Sequence, residues 1–246
     1  MKPFVMLPTY NESENIALLI EQILRVCPSC QIVVVDDDSP DGTWRIVEEI
    51  RERDSRVHLV HRKSNRGRGI SGIKGFLYAL DHGADAVLEM DADFSHDPSY
   101  LPHFFSSIQE YDVVSGSRFV QGGRDADRGW LRQRITYFAN LYIRIVLRIQ
   151  LTDCSSGFRC YRREVLQNLN LPSMVSIGPS IVQEMLLRAC QLGYDVLEIP
   201  IEFRDRQRGK TKLTYRHLIN GFRMVLKLRF SKPRKKLKEG SPEVPV

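Results

Sequence analysis

The sequence predicts one α/β domain built on a mostly parallel sheet with helices on both faces. Three observations carry this. Short apolar runs, often β-branched, alternate with stretches whose apolar residues fall on one helical face. Two of the runs, Ile32 to Val35 and Ala86 to Met90, empty directly into aspartate clusters, which places acid at the carboxyl ends of strands, where open parallel sheets bind ligands. A chain of 246 residues closes one substantial core rather than two equal ones.

Taken in order, Phe4-Val5-Met6-Leu7 reads as a buried strand that breaks at Pro8-Thr9-Tyr10-Asn11-Glu12. A helix follows, with Ile16, Leu19, Ile20, Ile23 and Leu24 on one face. Ile32-Val33-Val34-Val35 is the second strand; it opens into Asp36-Asp37-Asp38-Ser39-Pro40-Asp41-Gly42, and Trp44, Ile46, Val47 and Ile50 mark the next helix. Val57 to Val60, a glycine-rich loop, a helix around Gly75 to Leu80 and Ala86 to Met90 supply the third and fourth strands with their crossover. After Asp112-Val113-Val114-Ser115 the alternation loosens. A Gly/Arg/Asp loop runs to Gly129, and a long helix covers about 130–149. Phe158 to Tyr161 reads as a strand, Ser180 to Leu192 as a helix and Val196 to Phe203 as a strand, while Arg204 to Lys212 is too basic and glycine-broken to pack. The last helix, about 215–229, carries Leu218, Ile219, Phe222, Val225 and Leu226 on one side and Arg216, Arg223, Lys227 and Arg229 around the rest.

The formal charge of +6 is local in origin: from Arg223 to Lys238 eight residues are Lys or Arg and none is acidic. Such an end suits anionic lipid, nucleic acid or plain solvation, and the final residues read as disordered. The five cysteines are an odd number in a chain too large to need staples, and no signal segment precedes the first strand. A reducing cytoplasmic setting without disulfides is therefore expected. Cys27-Pro28-Ser29-Cys30 has redox or metal spacing, but it follows a helix instead of opening one and no second pair completes a zinc site, so it reads as structural. No stretch reaches the roughly 18 uninterrupted apolar residues of a spanning helix; the best candidate, Ile135 to Ile149, is broken by Asn140, Arg144 and Arg148, so no membrane-spanning helix is expected.

The chemistry centres on Met90-Asp91-Ala92-Asp93-Phe94-Ser95-His96. Side chains on an extended strand alternate faces, so Asp91 and Asp93 can turn the same way and meet one hard cation, with water and substrate phosphate completing its shell. A bare acidic turn, with Asp97-Pro98 starting a helix, is the competing explanation. Gly67-Arg68-Gly69-Ile70-Ser71-Gly72 spells G-x-G-x-x-G, but six residues separate it from Val60. A dinucleotide-binding turn must follow its strand at once to aim the helix at pyrophosphate, so that reading is set aside.

The motifs Leu7-Pro8-Thr9-Tyr10-Asn11-Glu12, Val35-Asp36-Asp37-Asp38-Ser39-Pro40-Asp41-Gly42-Thr43, Met90 to His96, Ser115-Gly116-Ser117-Arg118-Phe119, Ser156-Gly157-Phe158-Arg159 and Arg206-Gln207-Arg208-Gly209-Lys210-Thr211-Lys212 span most of the chain. In this order they resemble a family 2 glycosyltransferase of the dolichyl- or polyprenyl-phosphate mannose synthase type. The resemblance implies a glycosyltransferase-A fold, a Rossmann-like sheet with a carboxy-terminal amphipathic helix. It divides the chain into a catalytic domain at 1–212 (donor half about 1–115, acceptor half about 116–212), an amphipathic basic helix at 213–230 and a basic tail at 231–246.

By the same resemblance, Pro8, Tyr10, Glu12 and Asp37 hold the base and ribose of a nucleotide sugar. Asp91 and Asp93 hold Mg2+ or Mn2+, and Ser95 stands where the family often has glutamine, a weaker place for a third ligand. Arg118, Arg132, Thr136, Arg206 and Lys212 fall where the family binds acceptor phosphate and steadies the leaving diphosphate. Arginine's planar fork suits such oxygens. Arg68 departs from the usual apolar residue between the two glycines, which implies an additional donor contact or a different sugar preference, and His96 packs or caps. The implied reaction is inverting transfer of a hexose, mannose from GDP-mannose first, to polyprenyl phosphate; relatives with much the same motifs use UDP-glucose or other UDP sugars. The implied partners are the donor, the lipid acceptor, a membrane surface at the cytoplasmic face and an anchoring partner protein where the last helix does not suffice, with no nucleic acid. Two rivals stand beside it: a family 2 enzyme acting on a sugar hydroxyl, with Glu184 as candidate base, and a non-catalytic binding protein on the same fold.

Overall fold

The computed structural model describes residues 1–127, 129–205 and 215–231. Strands β1 (Pro3–Thr9), β2 (Gln31–Asp36), β3 (Val57–His61) and β4 (Ala86–Glu89) alternate with helices α1 (Ile16–Val26), α2 (Thr43–Arg53) and α3 (Arg68–Asp81). A 3-10 turn at Pro98–Tyr100 leads into α4 (Leu101–Ser107), then β5 (Val113–Ser117), β6 (Arg124–Asp125) and the 18-residue α5 (Trp130–Leu147). β7 (Arg159–Arg162), α6 (Arg163–Asn168), α7 (Ile181–Gln191), β8 (Val196–Pro200), β9 (Glu202–Phe203) and α8 (Tyr215–Arg229) complete the order.

Seven strands form one sheet in the order β3-β2-β1-β4-β7-β5-β8. β1 pairs parallel with β2 and β4, β2 with β3, and β5 with β8, whereas β7 runs antiparallel to both neighbours. That reversal matters for the site. Because Glu89 at the end of β4 faces Arg159 at the start of β7, the turn entering β7 lies on the same edge as the turns leaving β1, β2, β4 and β5. Residues 10–12, 36–42, 91–96, 118 and 153–158 therefore gather along one rim.

Alternation along β1 divides the core. Val5 and Leu7 pack with Ile16, Leu19, Leu88 and Phe104 on one face of the sheet, and Phe4 and Met6 with Val35, Phe76, Tyr161 and Met185 on the other. A third cluster, Ile143, Leu147, Leu186, Leu187, Val225 and Leu228, joins α5, α7 and α8.

Several expectations are refined. The strand expected over Val196 to Phe203 is two strands, because Ile201 leaves the main sheet and β9 pairs with β6 in a separate ribbon. On α8, Val225 and Leu228 are buried while Phe222 and Leu226 stay exposed, so the helix's apolar side is only partly used for packing. The absence of disulfides is corrected: Cys27 and Cys30 are bonded, with Cα atoms 5.5 Å apart. Cys27 caps α1, and the turn closed by the Cys30 N–H on the Cys27 carbonyl (3.0 Å) brings both buried sulfurs together. Among the described residues no helix is long and apolar enough to cross a membrane.

Candidate active site

At the carboxyl ends of β1 and β2, Thr9 sits opposite Asp36 in register, and two adjacent aspartates divide the work. Asp36 points inward. It accepts from Thr9 Oγ1 (2.8 Å) and from the Ser39 N–H and hydroxyl (2.8 and 2.6 Å), which pins the 36–42 loop onto β1. Asp37 accepts from Arg62, from Ser71 Oγ (2.8 Å) and from the Gly67 N–H (2.8 Å), and so ties the ends of β2 and β3 to the start of α3. Tyr10 is exposed at the mouth with the Arg66 guanidinium 5.9 Å from its ring centre, and Pro8 is half-buried beneath. The Glu12 N–H donates to Thr43 Oγ1 (2.9 Å) and its carboxylate accepts from the Asn15 amide (2.9 Å). A cavity of about 310 Å³ lies beside this loop, lined by Asp38, Ser39, Trp44 and Arg66 among others.

The D-x-D turn is held from behind. The Asp91 N–H donates to His96 Nδ1 (3.0 Å), and the His96 ring stacks on Phe158 (4.7 Å) and meets Phe203 edge-on (5.6 Å). Burial lowers the His96 pKa although Asp91 and Asp93 pull it upward, so a neutral ring acts as the acceptor. Phe94 takes a left-handed φ of 61° to turn the chain. Asp93 is buried, and its Oδ1 accepts from the Ser95 N–H (3.1 Å) and hydroxyl (2.6 Å). The Ser95 hydroxyl is thus engaged in holding Asp93. Asp91 is more open, and Arg68 reaches it with Nη2 (3.3 Å) while Nη1 grips buried Glu89. Two hard carboxylates at a strand end fit a divalent cation. No group of three His, Cys, Asp or Glu gathers among the described residues, so substrate oxygens and water would complete its shell.

The glycine motif has a packing cause. A Cβ on Gly69 would stand 2.3 Å from the Ser176 carbonyl oxygen and one on Gly67 2.7 Å from that of Ile177, while the Gly69 N–H donates to Ile177 (3.0 Å). These glycines let the 175–178 loop lie directly on the start of α3. That loop is clamped from below by Glu184, which accepts from the Val175 (3.1 Å) and Ser176 (2.8 Å) N–H groups and from Arg188. Glu184, the candidate base, is buried and engaged with the protein itself.

Just beyond the end of β5, Arg118 is a buried guanidinium. Its Nε and Nη2 meet Asp153 at 2.7 and 2.9 Å, Nη2 also reaches Ser155 Oγ (2.6 Å), and Phe119 and Phe203 flank it at 5.4 and 5.2 Å. Burial alone would raise the Asp153 pKa, but Arg118 beside it holds the carboxyl below its usual range. Arg159 is fully buried and donates to Ser115 Oγ (3.1 Å), the Val182 carbonyl (2.8 Å) and the Ser156 carbonyl (3.0 Å), which fixes the Ser156-Gly157-Phe158 turn. Arg132 pairs with Asp205 (3.3 Å) at the surface, and Thr136 lies half-buried one turn further along α5. Arg206 and Lys212 fall outside the described residues. A cavity of about 450 Å³ opens between the loop after β5 and α5, lined by Arg118, Phe119, Arg124, Arg134, Tyr137 and Phe138 among others. Arg124 and Arg134 were not among the sequence candidates; the interleaving of cations and aromatics in Arg132 to Phe138 was the signal for Arg134.

The Glycosyl transferase family 2 model matches residues 4–169. Over 215 residues the chain is 38% identical to the polyprenol monophosphomannose synthase of Mycolicibacterium smegmatis, covering 87% of this chain and 81% of that protein. Over 214 residues it is 36% identical to the undecaprenyl-phosphate mannosyltransferase of Micrococcus luteus, covering 87% of this chain and 88% of that protein. Its fold is that of glucosyl-3-phosphoglycerate synthase from Mycobacterium tuberculosis, solved with Mn2+, UDP and phosphoglyceric acid: the TM-score is 0.68 at 20% identity, over 92% of this chain and 76% of the other. On the family match and on these relatives, the chain belongs to glycosyl transferase family 2.

Proposed function

We propose that the protein transfers mannose from GDP-mannose to a polyprenyl phosphate with inversion, giving polyprenyl phosphomannose. The names of its relatives at 36–38% identity support both the sugar and the lipid phosphate. The observation that carries the reading is the makeup of the acceptor side. Its cavity combines arginines with aromatic rings, which suits a phosphate joined to an isoprenoid, and the carboxylate that could have deprotonated a sugar hydroxyl is buried under the 175–178 loop. A phosphate monoester loses its second proton near pH ~6, so at neutral pH the acceptor oxygen is already anionic and asks for no base.

In this reading Pro8, Tyr10, Glu12 and Asp37 receive base and ribose, within a donor half of about 1–115. Asp91 and Asp93 hold Mg2+ or Mn2+, which neutralises charge on the leaving diphosphate, and Ser95 keeps Asp93 in place. Arg124 and Arg134 join Arg132, Thr136, Arg206 and Lys212 around the acceptor phosphate in the half at about 116–212. Arg118, with its fork filled by Asp153, builds the cavity wall and lends its field more than its hydrogen bonds. The enzyme works as a peripheral protein at the cytoplasmic face of a membrane, through α5, α8 and the basic residues beyond, or with an anchoring partner.

The test is a panel of GDP-mannose, UDP-glucose and related labelled donors with polyprenyl phosphate and Mg2+ or Mn2+, following label into the organic phase. Mannose from GDP-mannose is expected to dominate, and Asp91→Asn or Asp93→Asn to remove most of it. Label that enters only water-soluble acceptors overturns the lipid assignment; full turnover in chelator overturns the metal.

A further inference from the structure

The geometry points to Arg68 as a tethered cation of the donor site, binding the nucleotide diphosphate beside the divalent metal and lowering the site's dependence on that metal. The inference rests on the reading of Asp91 and Asp93 as the metal and diphosphate site, and of the two roles the sequence leaves open for Arg68, a further donor contact or a different sugar preference, it takes the first and gives it a ligand and a consequence.

Arg68 is the first residue of α3, and its guanidinium bridges two carboxylates two positions apart at the end of β4. The bridge is graded from inside to outside. Glu89 is 1% exposed, the Arg68 side chain 23% and the Asp91 side chain 36%, so Nη1 is anchored in the interior and Nη2 stands toward the mouth. The slot fits a guanidinium. A Cβ on Gly72 would lie 3.3 Å from Glu89 Oε1 and 3.5 Å from Arg68 Nη1, and one on Gly157 would lie 3.4 Å from Arg68 Nη2. The second of these glycines belongs to the turn that Arg159 fixes. A guanidinium is not deprotonated in proteins, and here it is paired with two carboxylates, so the cation is permanent.

A permanent cation 3.3 Å from a metal-binding carboxylate has two consequences of one sign. It repels a dication arriving at Asp91, which weakens metal binding. It also offers N–H donors to phosphate oxygens that would otherwise rely on the metal, and such charge-assisted bonds are among the strong ones. Both effects shrink the ratio of nucleotide dissociation constants measured without and with metal. A mere counter-ion for buried Glu89 would leave that ratio unchanged.

The experiment is calorimetric binding of GDP and UDP to the full-length protein in EDTA and in Mn2+. Removing Arg68 alone would strand a buried carboxylate, so the main variant is Arg68→Met with Glu89→Gln, whose net charge equals the parent's. The parent is expected to bind nucleotide measurably in EDTA. The double variant should lose at least about tenfold of that affinity, the scale of one charge-assisted hydrogen bond, while its affinity in Mn2+ stays within about threefold of the parent's. Arg68→Lys, which keeps the charge and loses the fork, should fall between the two and serves if the double variant does not fold. Unchanged affinity in EDTA for either variant overturns the proposal, as does a parent that binds in Mn2+ and not at all in EDTA. A parent that binds neither nucleotide in Mn2+ instead overturns the donor-site reading beneath it.

Discussion

Arg118 and Asp153 show how much of this site's work is internal to single residues. A buried bidentate pair is a weak contributor as a pair and a costly one to break. Asp153→Asn is expected to lower stability by about 3–5 kcal/mol, because it leaves a buried guanidinium without its counter-charge. The sign with pH follows from the depressed Asp153 pKa: its contribution is present above the unfolded value near ~3.9 and is lost as pH falls through the folded one. Denaturant unfolding of parent and variant from pH 7 downward should show the two curves converging in acid, and parallel curves would remove Asp153 as the cause. Glu184 poses the opposite question. Its bonds to two N–H groups and Arg188 make it a clamp, so Glu184→Gln, which leaves buried Arg188 without its counter-charge, should cost about 3–5 kcal/mol of stability and leave turnover within about tenfold of the parent with the same pH profile. A missing general base costs about 10²-fold to 10⁴-fold. Collapse of turnover with fold and donor binding preserved would therefore reassign the acceptor to a hydroxyl.

Among the elements, those that alternate regularly were legible and those that depend on distant partners were not. The first four strands and their helices follow from apolar periodicity, and Asp91 and Asp93 from an apolar run ending in acid. That β7 would run antiparallel, and so carry Ser156-Gly157-Phe158 to the rim that holds Asp91 and Asp93, depends on which neighbours it pairs with, which no local pattern encodes. The same holds for Arg118, whose sequence position suggests a free phosphate ligand until the fold brings Asp153 against it from 35 residues away. The G-x-G-x-x-G motif is the sharpest instance, since spacing could exclude a dinucleotide turn but could not reveal the 175–178 loop lying on it. Gly69→Ala tests that packing. With a backbone oxygen 2.3 Å from the new Cβ neither side can yield cheaply, so a loss of about 1–3 kcal/mol and weakened donor binding are expected. An unfolding midpoint equal to the parent's would show that the loop moves aside freely.

At the scale of the whole molecule, the proposed peripheral attachment asks which surface would hold the protein against a membrane carrying a lipid acceptor. The sequence directs attention to the last helix and the eight cations between Arg223 and Lys238, each worth about 1 kcal/mol near an anionic leaflet. The structure adds a second candidate on α5. Leu131, Ile135, Phe138 and Ile145 recur at helical spacing on one stripe and are 47–67% exposed, while Asn140, Ile143 and Leu147 face the core. Phe222 and Leu226 of the adjoining α8 and Phe230 just beyond it are exposed as well. Full burial of one such side chain is worth about 1.5–3 kcal/mol, so even partial insertion of the stripe rivals the cationic run. Salt separates the two contributions. At 1 M ionic strength the screening length falls to about 3 Å, which removes most of the attraction to headgroups and leaves apolar insertion intact. Sedimentation with anionic vesicles should then persist in substantial part in 1 M KCl. Leu131→Glu, Ile135→Glu and Ile145→Glu together should abolish that salt-resistant fraction, with nucleotide binding unchanged because none of the three lines a described cavity. Complete release by salt, with the triple variant sedimenting like the parent at low salt, would assign attachment to the cations alone and leave the α5 stripe without a membrane role.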